Sequence, residues 1–404
     1  MATISLINEG YLMRTILLGF FLLASSLYSI TLDELIDSSL SKSPSLETIQ
    51  ARIQANKQNI NISNQFSNPQ LLLSTNTLDS SQAMSKTTLS IKQKLPYYGK
   101  RDSNEKVAQA SGGVLEQKLQ SAKVTLIERI KNEAYTIWEL QELYKITDEY
   151  VRLTKRNIEL YESYTSISDN QHMGIMKASL SLSELKIEKN SIKAKIYSAY
   201  SRLSYLGALE VQELDISLEI GEKPNLTQLQ NSLSSNPEIL LSEKELQKQN
   251  AKVEMASISN YPDVNLIAGY SYRENFDDFL NIGIGLSLPI YSREDYKEEE
   301  ARSLLLSAVS KKEDTKIAVD STLKVYYSEI LSYYEIYHII QDDALPKLSH
   351  MFELSNSSIS TGSDLFKYTD VLFSKLKLEK KSINAVANYN RVQAKISQLR
   401  GETK

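Results

Sequence analysis

Apolar and tyrosine positions recur at spacings of three and four from Arg101 to Tyr164. They include Val107, Val114, Leu119, Ile127, Ile130, Tyr135, Trp138, Leu143, Ile146, Tyr150, Leu153, Ile158 and Tyr161, with charged and amide residues between them. The stretch has no proline and one glycine pair, Gly112-Gly113. This pattern predicts one amphipathic helix of roughly 60 residues, about 95 Å long. A second stretch of the same kind runs from about Asp295 to Ser355. Helices of this length exceed those of globular domains and imply a coiled coil or a helical tube.

Elsewhere the period is two. Leu71, Leu73, Thr75 and Thr77 share one face, and Leu89, Ile91 and Leu95 share another, opposite Thr88, Ser90, Lys92 and Lys94. Val264, Leu266, Ala268, Tyr270 and Tyr272 oppose Asn265, Ile267, Gly269 and Ser271. Ile282, Ile284, Leu286 and Leu288 oppose Asn281, Gly283, Gly285 and Ser287, the cleanest strand signal in the chain. Alternation bounded by turn residues predicts two β-hairpins.

These elements fall into two copies of one unit. Pro44 and Pro237, Pro69 and Pro262, and Pro96 and Pro289 are each separated by 193 residues, as are Tyr98 and Tyr291. Ser166-Ile167-Ser168 returns as Ser358-Ile359-Ser360, and Leu185–Lys189 (LKIEK) returns as Leu376–Lys380 (LKLEK). The first repeat covers 31–210: a helix, a hairpin over 70–95, a long helix over 101–165 and a return helix over 171–206. A linker and equatorial segment covers 211–236. The second repeat covers 237–397, with a hairpin over 263–288, a long helix over 294–356 and a return helix over 363–397. A tail, 398–404, follows. Ahead of the repeats, the short apolar run Ile16–Leu27 behind Arg14 reads as a secretory signal peptide over 1–29.

Strands of roughly nine residues are long enough to cross an outer-membrane bilayer when tilted. Four strands cannot close a barrel, and lipid does not tolerate open sheet edges. Several chains must then share one barrel, and three chains give twelve strands. Ile282, Ile284, Leu286 and Leu288 would face lipid. The expected fold is a mixed α/β membrane protein: a trimeric 12-stranded transmembrane β-barrel continued by a long α-helical barrel.

Composition narrows the chemistry. The 404 residues contain no cysteine, which excludes disulfides and thiolate ligands, and the net charge of -4 leaves no basic domain for nucleic acid. No nucleophile, acid–base pair or GxGxxG loop stands out, so no catalytic residue, cofactor or metal site is assigned. His172, Met173 and Met176 offer soft ligands, but methionine at helical spacing ordinarily packs. Tyr326-Tyr327, Tyr333-Tyr334 and Tyr337 read as interhelical packing. Tyrosine, at 24 residues, is abundant and suits wet interfaces and membrane edges.

The duplicated order helix, hairpin, long helix, return helix resembles the bacterial outer-membrane efflux channels, the TolC-like exit ducts. So do Leu95-Pro96-Tyr97 and Leu288-Pro289-Ile290-Tyr291 at the strand-to-helix junctions, and Thr361-Gly362-Ser363-Asp364-Leu365 at a hairpin turn. The resemblance implies a homotrimer in the outer membrane of a Gram-negative bacterium, with a long periplasmic tunnel. It also implies two protein partners, a periplasmic adaptor and an inner-membrane pump, and passive export of small molecules. The tunnel tip would carry Asp169, Asn170, Gly362, Asp364 and Asp370. Asp364 either joins a carboxylate ring that favours cations or caps the return helix. Asp169-Asn170 departs from the pattern, since the nearest glycine is Gly174. A different class, an exported coiled-coil structural protein or adhesin without a channel, fits the long helices alone.

Overall fold

The computed structural model describes residues 30–77, 79, 82, 84–163, 169–359 and 365–403. Residues 1–29, expected from the sequence to be a signal peptide, lie outside them, as do Gly362 and Asp364. The chain forms two compact units. One comprises Pro44–Thr125, Asn225–Tyr327 and Lys395–Lys404; the other comprises Leu126–Pro224, Ser328–Ala394 and the chain up to Ser43.

The first unit holds a four-stranded antiparallel sheet in the order β2-β3-β5-β6: β2 Gln70–Thr75, β3 Lys86–Leu95, β5 Asp263–Arg273 and β6 Phe279–Ser287. Register puts Leu71 opposite Ile91, Leu89 opposite Tyr270, and Leu266 opposite Ile284. Directly opposed residues share a face, so the apolar sets of all four strands merge into one surface. Gly269 lets β3 and β5 close up, because a Cβ there would stand 2.9 Å from Ser90 Cβ.

Each hairpin hands over to a helix through a left-handed residue. Gly99, at φ 86°, precedes the helix that begins at Lys100, and Ser292, at φ 54°, precedes the one that begins at Arg293. The two stand 193 residues apart, like the prolines. A side chain at Gly99 would also meet Ile258 Cδ1 at 2.8 Å. The same unit contains α2 (Pro44–Ser63), α5 (Leu226–Asn231) and α6 (Pro237–Ser259). Asn236 fixes the start of α6 and is almost fully buried. Its Oδ1 accepts from the backbone N–H groups of Glu238 and Ile239 at 2.9 Å each, and its Nδ2 donates to the Leu399 carbonyl at 2.8 Å.

The second unit is helical. A parallel ladder of two residues per strand, β1 (Ile30–Thr31) with β4 (Leu214–Asp215), leads into α1 (Leu32–Lys42). A capping box between Thr31 and Glu34 starts α1, satisfying two free backbone donors. The core gathers Tyr150, Ile158 and Tyr161 of α3 (Lys100–Ser163), Ile175, Ala178 and Leu185 of α4 (Asp169–Gly207), and Tyr368, Leu372 and Leu376 of α9 (Leu365–Leu399). Phe352 of α8 (Leu345–Ile359) packs against it, 5.3 Å from the Tyr368 ring.

The spacing predicts an uninterrupted second long helix, but the structure breaks it. It runs as α7 (Arg293–His338), a π-helical segment Ile339–Ala344, and α8. Pro346 supplies the cause. It has no N–H for the carbonyl four residues back, and its ring crowds that carbonyl. The chain widens by one residue there, and the Leu345 N–H bonds to the Ile340 carbonyl.

Candidate channel surfaces

The sheet has two chemically opposite faces. On one, Leu71, Leu73, Leu89, Ile91, Leu266, Tyr270, Ile282, Ile284 and Leu286 are all exposed in the single chain. Ile282 is 88% exposed and Ile284 72%, values unsuited to water for a contiguous aliphatic surface. Leu288, assigned to the same strand from its spacing, lies one residue beyond the end of β6, although it too is exposed.

The other face carries Thr88, Ser90, Lys92, Lys94, Asn265, Ser271, Asn281 and Ser287, with Gly269, Gly283 and Gly285 among them and Leu72, Ile267 and Phe279 as apolar exceptions. Ser271 is fully buried and is held by Thr88 Oγ1 at 2.8 Å and by Asn281 Nδ2, which donates at 2.5 Å. Gly283 and Gly285 have room for a Cβ, 3.7 Å from the nearest side-chain atom in each case. Their effect is to keep this face low and open.

Where β3 and β5 meet the first long helix, Asp263 gathers the ends. Its carboxylate accepts from Lys100 Nζ at 2.8 Å and from the Tyr97 N–H at 3.0 Å, and Lys94 Nζ lies 2.9 Å away. Tyr97 stacks on Tyr261 with ring centroids 4.5 Å apart. Spacing could not reveal this cluster, because Asp263 and its partners are remote in the chain and the equivalent position in the first repeat is Gln70.

In the helical unit, Tyr150 Oη donates to Glu379 Oε2 at 2.8 Å. Burial, reinforced by that carboxylate, pushes the Tyr150 phenol well above its ordinary range. Lys189 Nζ meets Asp148 at 2.5 Å, and Lys380 Nζ meets Glu188 at 2.5 Å. The Lys189 bond holds the Asp148 carboxyl below its usual range. Of the residues assigned to a tunnel tip, Asp169 and Asn170 open α4. Asp370 is exposed on α9, with Lys177 Nζ 3.3 Å from its carboxylate. Tyr368, two residues before Asp370, is buried in the core.

His172, Met173 and Met176 are exposed on α4. Among the described residues no group of three or more His, Cys, Asp or Glu is placed to hold a metal ion. No described helix is long and apolar enough to cross a membrane.

Residues 35–165 match the family described as outer membrane efflux protein. No curated protein matches the sequence. Among solved structures, the fold is that of the Campylobacter jejuni CmeC outer membrane channel, with a TM-score of 0.74 at 14% identity, covering 92% of this chain and 85% of that one. The Neisseria gonorrhoeae MtrE outer membrane channel, solved in its open state, gives 0.73 at 14% identity, covering 92% and 89%. The Vibrio cholerae outer membrane protein VceC gives 0.71 at 16% identity, covering 92% and 96%. The resemblance read from the junction motifs and the doubled element order thus extends to the fold of nearly the whole chain.

Proposed function

We propose that the protein is the passive outer-membrane exit duct of a tripartite efflux or secretion system. In this reading three chains close their sheets into one twelve-stranded barrel. The observation that carries it is the open four-stranded sheet, exposed and aliphatic on one face, polar and glycine-bare on the other. A bilayer accepts a sheet only when no edge is left unpaired, and here β2 and β6 are edges. The apolar face, with Ile282, Ile284, Leu286 and Leu288, would meet lipid, and the polar face the bore. The channel fold shared with CmeC, MtrE and VceC supports the same reading.

The helical unit is also incomplete alone. On α4, Met173, Met176, Leu180, Ile187 and Tyr197 fall at spacings of three, four, seven and ten, and each is at least 62% exposed. Such a stripe requires a helix from outside the chain. Neighbouring copies in the trimer satisfy it. We assign the long helices to a periplasmic tunnel whose tip carries Asp169, Asn170, Gly362, Asp364 and Asp370. The partners are a periplasmic adaptor and an inner-membrane pump of a Gram-negative cell, and the two repeats arise from one duplicated unit.

Fractionation and planar-bilayer recording test this reading together. The exported protein should be recovered with the outer membrane and should form water-filled channels. Recovery as a soluble protein, or an assembled rod without conductance, would favour the structural or adhesin class.

A further inference from the structure

The polar face of the sheet is unevenly charged. Lys86, Lys92, Lys94, Arg273 and Asp263 all fall on it by register, four cations to one anion, while the described strand residues of the apolar face include no charged side chain. At one end of the sheet Asp263 lies between Lys94 and Lys100. At the other end Arg273 has acids beside it, and Lys86 Nζ lies over the Phe279 ring, 5.8 Å from its centroid. The Arg273 N–H donates to Asp278 at 2.9 Å, and Glu274 and Asp277 lie in the same turn.

Lys92 lies between these ends. Its cross-strand neighbours are Gln70 and Ile267, with Gly283 beyond, and Ser90 precedes it on the same face. No carboxylate among the described residues lies within ion-pair distance of it. We infer that Lys92 is a selectivity-determining residue of the bore, forming a ring of three ammonium groups that draws anions and so favours anionic cargo at this level. The inference rests on the trimeric barrel proposed above. Rings of like-charged side chains set ion preference in pores, and low-dielectric walls focus their field instead of letting water disperse it.

Reversal potentials of single channels across a potassium chloride gradient test it. Lys92→Gln should shift the reversal potential toward cation preference, Lys92→Glu should shift it further in the same direction, and Lys92→Arg should keep the parent value. Lys92→Gln preserves a polar side chain on an open face, so it carries the test if the acidic variant fails to assemble. Reversal potentials that coincide for the parent and the Gln and Glu variants would overturn the assignment and leave the channel reading intact. A parent protein that forms no channel would remove the channel reading, and this inference with it.

Discussion

Ile284 and Gly285 are neighbours in β6 that point to opposite faces, and they make the sharpest residue-level contrast. A lysine in place of Ile284 would put a charge on the aliphatic face. Near the bilayer midplane that costs about 2–4 kcal/mol, and urea titration of folding into lipid vesicles should report a loss of that size. Gly285→Ser should fold as the parent does, since a Cβ there meets only the Asn265 Cβ at 3.7 Å. Equal losses in the two variants would contradict the assignment of faces. Asn236 provides a second case. Asn236→Ala removes a helix cap and leaves the Leu399 carbonyl without its donor. Loss of such a cap costs about 0.5–2 kcal/mol, and a buried orphan acceptor about 1–3 kcal/mol. Asn236→Ser keeps a capping oxygen and adds no charge while losing the donor, so its midpoint in denaturant should lie between those of the parent and the alanine variant.

At the scale of elements, the helical unit is held by buried and half-buried tyrosines. Tyr135, Tyr150, Tyr200, Tyr368 and Tyr389 all have phenols raised above their ordinary value of 10.0, with burial the first cause in each. A raised folded pKa means that the unfolded chain gives up its protons first. The stability these groups confer is therefore complete below about pH 10 and is lost as pH rises through the folded values. Helix content followed from pH 9 to about 12 should fall cooperatively, and Tyr150→Phe should blunt that fall. A pH-independent helical signal would refute it. The long helices and the hairpins were legible because their periods run unbroken: α3 spans Lys100–Ser163 where the spacing starts at Arg101, and β3 ends at Leu95 just before Pro96. Three features were not read. Pro346 marks the π segment, but the surrounding apolar spacing continues across it and hides the break. The capping box Thr31–Glu34 announces α1, yet α1 has only 11 residues and abuts Pro44, so the two helices merge in a pattern search. The β1–β4 ladder is too short to have a period at all. The candidate site divides in the same way. The apolar face of the sheet follows from alternation, whereas the Asp263 cluster and the isolation of Lys92 depend on cross-strand register, which no local pattern encodes.

At the scale of the whole molecule, a single chain leaves two things undone. Its sheet ends in edge strands β2 and β6, each paired on one side only, and exposed apolar residues cover one sheet face and a stripe along α4. Both are met if identical chains pair edge to edge in a closed ring. Antiparallel closure needs an even number of strands, and three copies of four satisfy that at a size common for outer-membrane barrels. The requirement can be counted directly. The mass of the detergent-solubilised particle, with bound detergent subtracted, should equal three chains. A particle containing one chain, with its helix and strand content intact, would contradict the account.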